Sequence, residues 1–435
     1  MNQQIIVEYR FIMRRLGRSV LTVVAALLLF QTAAAQGLPA GRPEEAGFSS
    51  ERLARIRPAM QAYVDEKKFA GIATLIVRRG KIIYADQVGM MDLDGGKAMS
   101  RDTIFRIYSM SKPIVSVGIM MLCDAGKLRL DDPVSRYIPA FESVKVYHND
   151  KEGEAQLQAA SHPITIRHLL MHTAGLTYGV FGDTPVDKLY QKADLFKAPT
   201  LEEFVARVAR LPLLFEPGSA WNYGMATDIL GRVIEVVSGK TLDQFLSQKI
   251  FEPLGMRDTA FEVPAEKQGR VSRLYTFENG KFKAVESGPG RLFPFLSGGG
   301  GLFSTLDDYA EFSQMLLNGG KLGRARLLRP ETVALMTRNY LPKEQIPIRV
   351  GKIVFEGYGF GLGFGVRAVP PKSNVEESLG TYKWAGAANT FFWIDPKEKL
   401  IGLVMTQLFP FYAHPVDQDF LRLVYGALER RYATP

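Results

Sequence analysis

A serine and a lysine three positions apart are the residues of this sequence that most directly suggest covalent chemistry. Ser109 and Lys112 lie in FRIYSMSKPIVSVGIMML, where a strand-like run meets an amphipathic helix. A serine hydroxyl is a poor nucleophile at neutral pH, so it needs a proton acceptor within hydrogen-bond reach of Oγ. Side chains at i and i+3 share a helix face, and a lysine whose pKa is lowered by burial can be that acceptor. Because chance gives on the order of one such pair in a chain of this length, partners elsewhere must support it.

A tyrosine at the start of a second predicted helix is the next candidate. Tyr223 follows the Pro217-Gly218 turn and closely precedes the helical segment TDILGRVIEV. A phenol held beside a cationic lysine can have a lowered pKa and pass a proton between nucleophile and leaving group. For Tyr223 taken alone, packing in a wall of the core stays open as the commoner role.

Small residues on a predicted strand form the third element. Trp384 is followed by the run AGAA, which ends at Ala388. Small side chains let a substrate approach the backbone closely, so this strand edge could donate an N–H to an oxyanion. A helix that begins at Ser109 would aim its own free N–H groups at the same place. A close contact between a helix and a sheet explains the small residues equally well.

The elements that must position these residues come from both ends of the chain. Helical spacing from Leu53 to Val64 is followed by two strand-like runs, GIATLIV and KIIYADQVGM. After the Gly298–Gly301 run and one further helix, strand-like segments return in YGFGLGFGVRAV, TYKWAGAANTFFWIDP and KLIGLVMTQL, and the intervening residues have mainly helical patterns. We predict a sheet built from both ends, helices packed on it, an inserted all-helical region, and a cleft at their seam.

The first 35 residues are typical of a secretory signal peptide. A basic start precedes an apolar run from Val20 to Phe30 and the small residues Ala33-Ala34-Ala35. The apolar run is much shorter than the roughly 20 residues that a membrane span needs, which favours cleavage before Gln36 over anchoring. We therefore expect a mature chain without a membrane span, either periplasmic or secreted.

Charge and metal-ligand spacing exclude several function classes. Loss of four arginines and one glutamate with the leader lowers the formal net charge from +9 to +6, and no dense basic run with interleaved aromatics indicates a nucleic-acid partner. Cys123 is the only cysteine, so an intramolecular disulfide is excluded and a small buried hydrophobe is indicated. His168 and His172 have zinc-helix spacing but lack the acidic residue after the first histidine, so we interpret them as structural or capping residues and expect no metal or other cofactor.

Taken in order, Ser109-x-x-Lys112, Tyr223 and Trp384-Ala385-Gly386 resemble the motifs of the serine β-lactamase and penicillin-binding-protein superfamily. The stretches ITIRHLLMHTAGL, GGGGLFSTLDDYAEF and YGFGLGF are similar to signatures of the class C β-lactamase branch, so the resemblance runs from about Pro43 to the C-terminus. It implies a β-lactamase-like (D,D-peptidase) fold of the α/β (α+β) class, with an antiparallel sheet flanked by helices. The predicted domains are the leader at 1–35 and a hydrolase domain at 36–435, with a sheet lobe at about 44–110 plus 298–435 and a helical lobe at about 111–297.

Departures from the superfamily motifs indicate the family VIII carboxylesterases within that branch. The usual Tyr-x-Asn is Tyr223-Gly224-Met225, and a methionine cannot hydrogen-bond a substrate amide as asparagine does. The usual Lys-Thr-Gly, which helps to hold the carboxylate of penicillins, is replaced by Trp384 and two small residues. Both changes disfavour the binding of anionic amide substrates and favour small neutral ester substrates. Since Gly-x-Ser-x-Gly is absent, the esterase interpretation rests wholly on this scaffold.

The resemblance implies an acyl-enzyme mechanism for a small-molecule ester or β-lactam-like substrate. Ser109 is the expected nucleophile, Lys112 and Tyr223 share general-base and general-acid duty, and N–H groups of Ser109 and Ala387 hold the oxyanion. Trp384, Gly386 and Met225 are the expected substrate-binding residues. The alternatives are a class C-like β-lactamase, a D-amino-acid peptidase or amidase, an acyltransferase, and a penicillin-binding receptor that acylates without turnover. The first proton acceptor, the natural substrate and the oligomeric state stay open.

Overall fold

A computed structural model describes residues 37–149, 155–285, 290–373 and 376–431. The predicted signal peptide lies outside these residues. Among the described residues, no helix combines the length and apolarity that a membrane crossing requires. A mixed α/β architecture is built on one eight-stranded sheet with the strand order β4-β5-β6-β7-β8-β1-β2-β3. The strands are β1 Gly71–Arg78, β2 Lys81–Asp92, β3 Lys97–Ala98, β4 Tyr358–Phe360, β5 Gly365–Arg367, β6 Tyr382–Gly386, β7 Thr390–Asp395 and β8 Leu400–Met405.

Every neighbouring pair in this sheet is antiparallel. The order confirms the prediction of a sheet assembled from both ends of the chain, because β8 pairs directly with β1, with Met405 opposite Ala73. Side chains of β1 alternate between two apolar layers, as the period of two in a strand requires. Ile72 and Ile76 face one layer, whereas Ala73, Leu75 and Val77 face the other. Both faces of the sheet are therefore buried at β1.

Helices cover both faces. One face is covered by the helices Ser50–Leu53, Ile56–Asp65 and Val416–Gly426, and the helix Leu306–Leu317 packs on the opposite face against β1, β7 and β8. Threonine N-caps begin several of the helices, with Thr165, Thr200 and Thr305 accepting a hydrogen bond from a backbone N–H in the first turn. The helices are α1 Ser50–Leu53, α2 Ile56–Asp65, α3 Ser111–Asp124, α4 Ile166–Leu170, α5 Pro185–Lys192, α6 Leu201–Val208, α7 Ala226–Ser238, α8 Leu242–Leu246, α9 Glu252–Leu254, α10 Leu306–Leu317, α11 Pro330–Met336 and α12 Val416–Gly426.

The inserted region is mainly helical and also holds two hairpins. One pairs Lys145–Asn149 with Ala155–Ala159, and the other pairs Tyr275–Glu278 with Lys281–Ala284. Within the described residues, 111–297 contribute no strand to the large sheet. The predicted lobe boundaries stay a prediction. The remaining short strands are Phe105–Arg106, Phe303–Ser304, Lys321–Leu322, Ala325–Arg326, Arg349–Val350, Ile353–Val354 and Leu408–Phe409.

Two residues that the sequence assigned to structural roles have such roles in the fold. His168 completes the cap of α4, since its Nδ1 accepts the Thr165 N–H at 3.3 Å. Cys123 is half-buried near the end of α3, and burial raises the pKa of its thiol to about 12. A thiol with that pKa stays protonated at neutral pH, which agrees with a packing role.

A buried carboxyl pair on α10 makes stability depend on pH. Burial raises the pKa of Glu311 to about 7, with Asp308 and Asp307 adding to the rise and Arg257 opposing it. Burial likewise raises the pKa of Asp308 to about 6. The native state then keeps protons that the unfolded state releases, so the free energy of unfolding falls as pH rises from about 4.5 to 7.

We therefore expect Glu311→Gln to raise the free energy of unfolding at pH 8 by on the order of 1–3 kcal/mol, with little effect at pH 4. Urea unfolding at both pH values measures this difference. Glu331→Gln, at an exposed position on α11, is the matched control and should show no pH-dependent gain. An equal effect of Glu311→Gln at both pH values would contradict the assignment.

Candidate active site

Ser109 lies in a single 3₁₀ turn, Tyr108–Met110, that leads directly into α3. Its side chain is half-buried, and Tyr108 before it adopts a left-handed conformation with φ of 41°. Strand β6 passes close by, because a Cβ added to Gly386 would overlap the carbonyl oxygen of Ile107. The small residues predicted on this strand therefore allow a close approach of the sheet edge to the turn that carries the serine.

Lys112 is buried beside Ser109 with three hydrogen-bond partners. Its Nζ donates to Ser109 Oγ at 3.1 Å, to the Tyr178 hydroxyl at 2.9 Å and to the Gly299 carbonyl oxygen at 2.6 Å. An ammonium has three N–H donors, and these three acceptors match them. The side chain is only 1% exposed, so these contacts replace its hydration.

Tyr223 completes the group around the serine. It precedes α7, and its hydroxyl donates to Ser109 Oγ at 2.6 Å. The Lys112 Nζ lies 4.8 Å from the centre of the Tyr223 ring, within the range of a cation–π contact. Behind Tyr223, the buried ring of His172 lies 5.1 Å away, and burial together with the Lys112 charge lowers the pKa of His172 well below its ordinary value. A neutral imidazole therefore supports the phenol from the core side.

Two residues that help to hold this group in place were not found from the sequence. Tyr178 accepts from Lys112, and burial, with Tyr223 and Asp228 nearby, raises the pKa of its phenol well above the ordinary value. Asp228 accepts from the Ser297 hydroxyl at 2.6 Å and from the Gly299 N–H at 3.0 Å. Burial raises the pKa of Asp228, although the Lys112 charge opposes the rise. Asp228 therefore fixes the loop whose Gly299 carbonyl receives Lys112.

The sequence held only a weak signal for these two residues. Tyr178 follows the HTAGL stretch by two positions, and Asp228 is five residues after Tyr223. No local pattern of residue types and spacing marks either position. Only their positions in the fold show that Tyr178 contacts Lys112 directly, while Asp228 acts through the loop at Gly299.

The predicted binding residues have different surroundings. Trp384 is 4% exposed, with its ring 5.2 Å from that of Tyr223 and stacked on Phe355 at 5.6 Å. Met225 is 1% exposed and packs in the hydrophobic core at the start of α7. Lys383 turns away from this wall, as strand alternation requires, and its Nζ lies 3.2 Å from Glu377. An aromatic wall, rather than a lysine, faces Tyr223 here.

Ala387 follows β6 at the turn into β7 and is half-buried. Asn389, two residues later, fixes this turn: its Nδ2 donates to the carbonyl oxygens of Leu408 at 2.7 Å and Pro410 at 3.0 Å, and its Oδ1 accepts the Tyr412 N–H at 2.8 Å. It is fully buried with a φ of 60°, a conformation that asparagine tolerates better than most residues. The turn that carries the Ala387 N–H therefore has little freedom to move.

The profile of the family described as beta-lactamase matches residues 56–426. The chain belongs to the beta-lactamase family. Esterase EstB of Burkholderia gladioli is 30% identical over 379 residues, which cover 81% of this chain and 90% of that protein. This relative supports the family VIII branch that the sequence indicated.

Solved structures agree with this placement in the beta-lactamase family. EstCE1, described as a hydrolase with promiscuous acyltransferase activity, superposes with a TM-score of 0.71 at 28% identity, covering 87% of this chain and 98% of its own. The simvastatin synthase LovD of Aspergillus terreus gives a TM-score of 0.74 at 25% identity, covering 88% and 98%. The predicted superfamily and fold are confirmed, and the chain is an enzyme of the serine hydrolase beta-lactamase fold.

The Asn389 turn gives a prediction for this site. Asn389→Gly keeps the left-handed backbone accessible but removes three hydrogen bonds, so the Ala387 N–H should lose its fixed position. Loss of one oxyanion donor costs about 10²–10³ in kcat, and we expect a partial loss of roughly tenfold to a hundredfold in kcat on an ester, with a smaller change in KM.

Asn279→Gly is the matched control, because Asn279 is exposed at a hairpin turn with a φ of 50°. It should keep wild-type kinetics. Wild-type kcat in Asn389→Gly would show that this turn does not take part in catalysis.

Proposed function

We propose that this beta-lactamase-family enzyme is an exported serine hydrolase that cleaves carboxylic esters through an acyl-enzyme on Ser109. One observation carries the proposal: Lys112 Nζ and the Tyr223 hydroxyl both lie within hydrogen-bond distance of the same Ser109 Oγ. A nucleophile with two proton-handling groups in contact is the arrangement that covalent catalysis needs. The export part rests on the leader-like sequence of residues 1–35.

Acylation follows from this arrangement. Ser109 Oγ attacks the ester carbonyl carbon while its proton passes to the Lys112 and Tyr223 pair, one member of which must be in its deprotonated form, as a neutral amine or a phenolate, to accept it. The carbonyl oxygen becomes an oxyanion, which the N–H groups of Ser109 and Ala387 stabilise. The bond from carbon to the alcohol oxygen then breaks as the proton is delivered to that oxygen, and the alcohol leaves.

Deacylation repeats these steps with water as the nucleophile. The same pair takes a proton from water as its oxygen attacks the acyl carbon, and the proton returns to Ser109 Oγ when the acid leaves. Lys112 Nζ also lies over the Tyr223 ring, so the two groups and the serine form one cluster.

Esters are favoured over β-lactams by the wall that faces Tyr223. Trp384 presents an aromatic surface there, and Met225 offers no amide group. An anionic amide substrate would lack the charged and amide hydrogen-bond partners that the usual motif residues provide, whereas a neutral ester does not use those partners. The name of the EstB relative supports the same choice.

Acyl transfer to an alcohol is a second candidate. The description of EstCE1 as a hydrolase with promiscuous acyltransferase activity favours it. The acyl-enzyme can be resolved by any nucleophile that reaches the carbonyl carbon, so an alcohol can replace water without any change in the catalytic residues. Product analysis in the presence of an added alcohol distinguishes an ester product from the free acid.

The substrate preference is tested by comparing kcat/KM on short-chain p-nitrophenyl esters with kcat/KM on a chromogenic cephalosporin. We expect a clear preference for the esters, because Trp384 and Met225 replace groups that bind amides and carboxylates. Ser109→Ala should abolish ester hydrolysis, whereas Ser373→Ala, at an exposed position, should not.

Three results would overturn this assignment. A preference for the cephalosporin would indicate a β-lactamase, and more than a residual rate in Ser109→Ala would exclude Ser109 as the nucleophile. A stoichiometric burst without turnover would indicate a penicillin-binding receptor.

A further inference from the structure

A cavity of about 450 Å³ opens beside Tyr223. Its lining comes from two segments distant in sequence, around residues 181–187 and 344–351, and from residues 214 and 220–223. The two segments approach one another where Gly351 lies against the Phe181 ring. The apolar and aromatic side chains that line the cavity are Phe181, Leu214, Trp221, Tyr223, Ile348 and Val350.

The position of Tyr223 indicates which part of an ester substrate, the acyl group or the alcohol, would face this cavity. Its hydroxyl is 2.6 Å from Ser109 Oγ, and Tyr223 is one of the residues that line the cavity. A group that hands a proton to the departing alcohol must lie within hydrogen-bond reach of that oxygen. The alcohol side of the ester therefore lies against Tyr223, and a large alcohol group extends from there along the cavity.

The charge of the lining suits a neutral group. Asp187 is the buried carboxylate, and the Thr177 and Thr184 hydroxyls donate to it at 2.6 and 2.7 Å. The remaining charged lining residues, Glu344 and Arg349, are exposed and of opposite sign. The buried part of the lining, as far as the structure describes it, therefore holds no charged side chain other than Asp187.

Phe181 is an exposed aromatic residue beside Tyr223. It is 42% exposed, although its ring lies 5.8 Å from that of Tyr223 and 6.0 Å from that of Tyr178. Val180 beside it is 69% exposed. Exposed apolar side chains that adjoin a catalytic group mark a surface that an apolar ligand covers.

We propose that this cavity is the subsite for the alcohol part of the ester, and that the preferred substrates are esters of bulky, uncharged, ring-bearing alcohols. This inference rests on the proposed ester hydrolysis. In the acylation step, the bond between Ser109 Oγ and the acyl carbon forms and the bond to the alcohol oxygen breaks. Tyr223 supplies the proton, and the neutral alcohol leaves through the cavity. A volume of this size holds a substituted ring system, whereas an ethyl group leaves most of it empty.

The test compares 2-phenylethyl butyrate with ethyl butyrate. The two substrates form the same butyryl-enzyme and release alcohols of similar acidity, so the ratio of their kcat/KM values reports binding of the alcohol during acylation. The wild type should prefer the phenylethyl ester. Phe181→Ala should lower this preference about tenfold, because the phenyl group loses one aromatic wall of its subsite.

Two further variants serve as a second test of the cavity and as a control outside it. Ala220→Phe places bulk in the cavity from a half-buried position and should also lower the preference for the phenylethyl ester. Phe277→Ala is the matched control, since Phe277 is 43% exposed on a hairpin strand outside the cavity, and it should keep the wild-type ratio.

The outcomes separate this inference from the proposed function. If the wild type hydrolyses both esters but Phe181→Ala and Ala220→Phe leave their ratio unchanged, the subsite assignment is wrong and ester hydrolysis stands. If Phe181→Ala instead alters the preference between ethyl butyrate and ethyl 4-phenylbutanoate, the cavity binds the acyl group. If the wild type hydrolyses no ester at all, both proposals fail.

Discussion

The buried Lys112 ammonium needs hydrogen-bond acceptors for its three N–H groups, and this requirement determines which segments meet at the site. Placing such a group out of water without partners costs far more free energy than a single domain can spare. Its three partners come from the 3₁₀ turn at Ser109, the loop at Tyr178 and the glycine loop at Gly299, which Asp228 holds in place. Segments that are up to 187 residues apart in sequence therefore meet around one nitrogen atom.

The sheet supplies the second constraint. Strand β6 must pass so close to residue 107 that only glycine fits at position 386, and the next turn is fixed by Asn389. This places the N–H of Ala387 at the end of β6, an inner strand of the sheet that is buried along most of its length. A donor held in this way need not reorganise as charge develops, which is the condition under which oxyanion stabilisation is strong.

The sequence allowed prediction of the parts of the site that have local signatures. Ser109 and Lys112 have helical spacing, Tyr223 precedes a helix, and the small residues after Trp384 lie on a recognisable strand. Tyr178 and Asn389 lack such signatures, because their roles arise from contacts between loops. The hairpin that pairs Lys145–Asn149 with Ala155–Ala159 also lacks such a signature, because no pattern in the sequence specifies pairing between its two strands.

The proposed function depends on a covalent intermediate on Ser109, activated by Lys112 and Tyr223. Incubation with a neutral p-nitrophenyl alkylphosphonate, followed by intact-mass and peptide analysis, tests it most directly, because such a phosphonate leaves a stable tetrahedral adduct on an activated serine. We expect one equivalent of p-nitrophenol to be released and one adduct to form on Ser109, with neither in Ser109→Ala. An adduct on another residue, including the buried Ser111 whose Oγ accepts the Leu302 N–H, or no adduct at all, would contradict it.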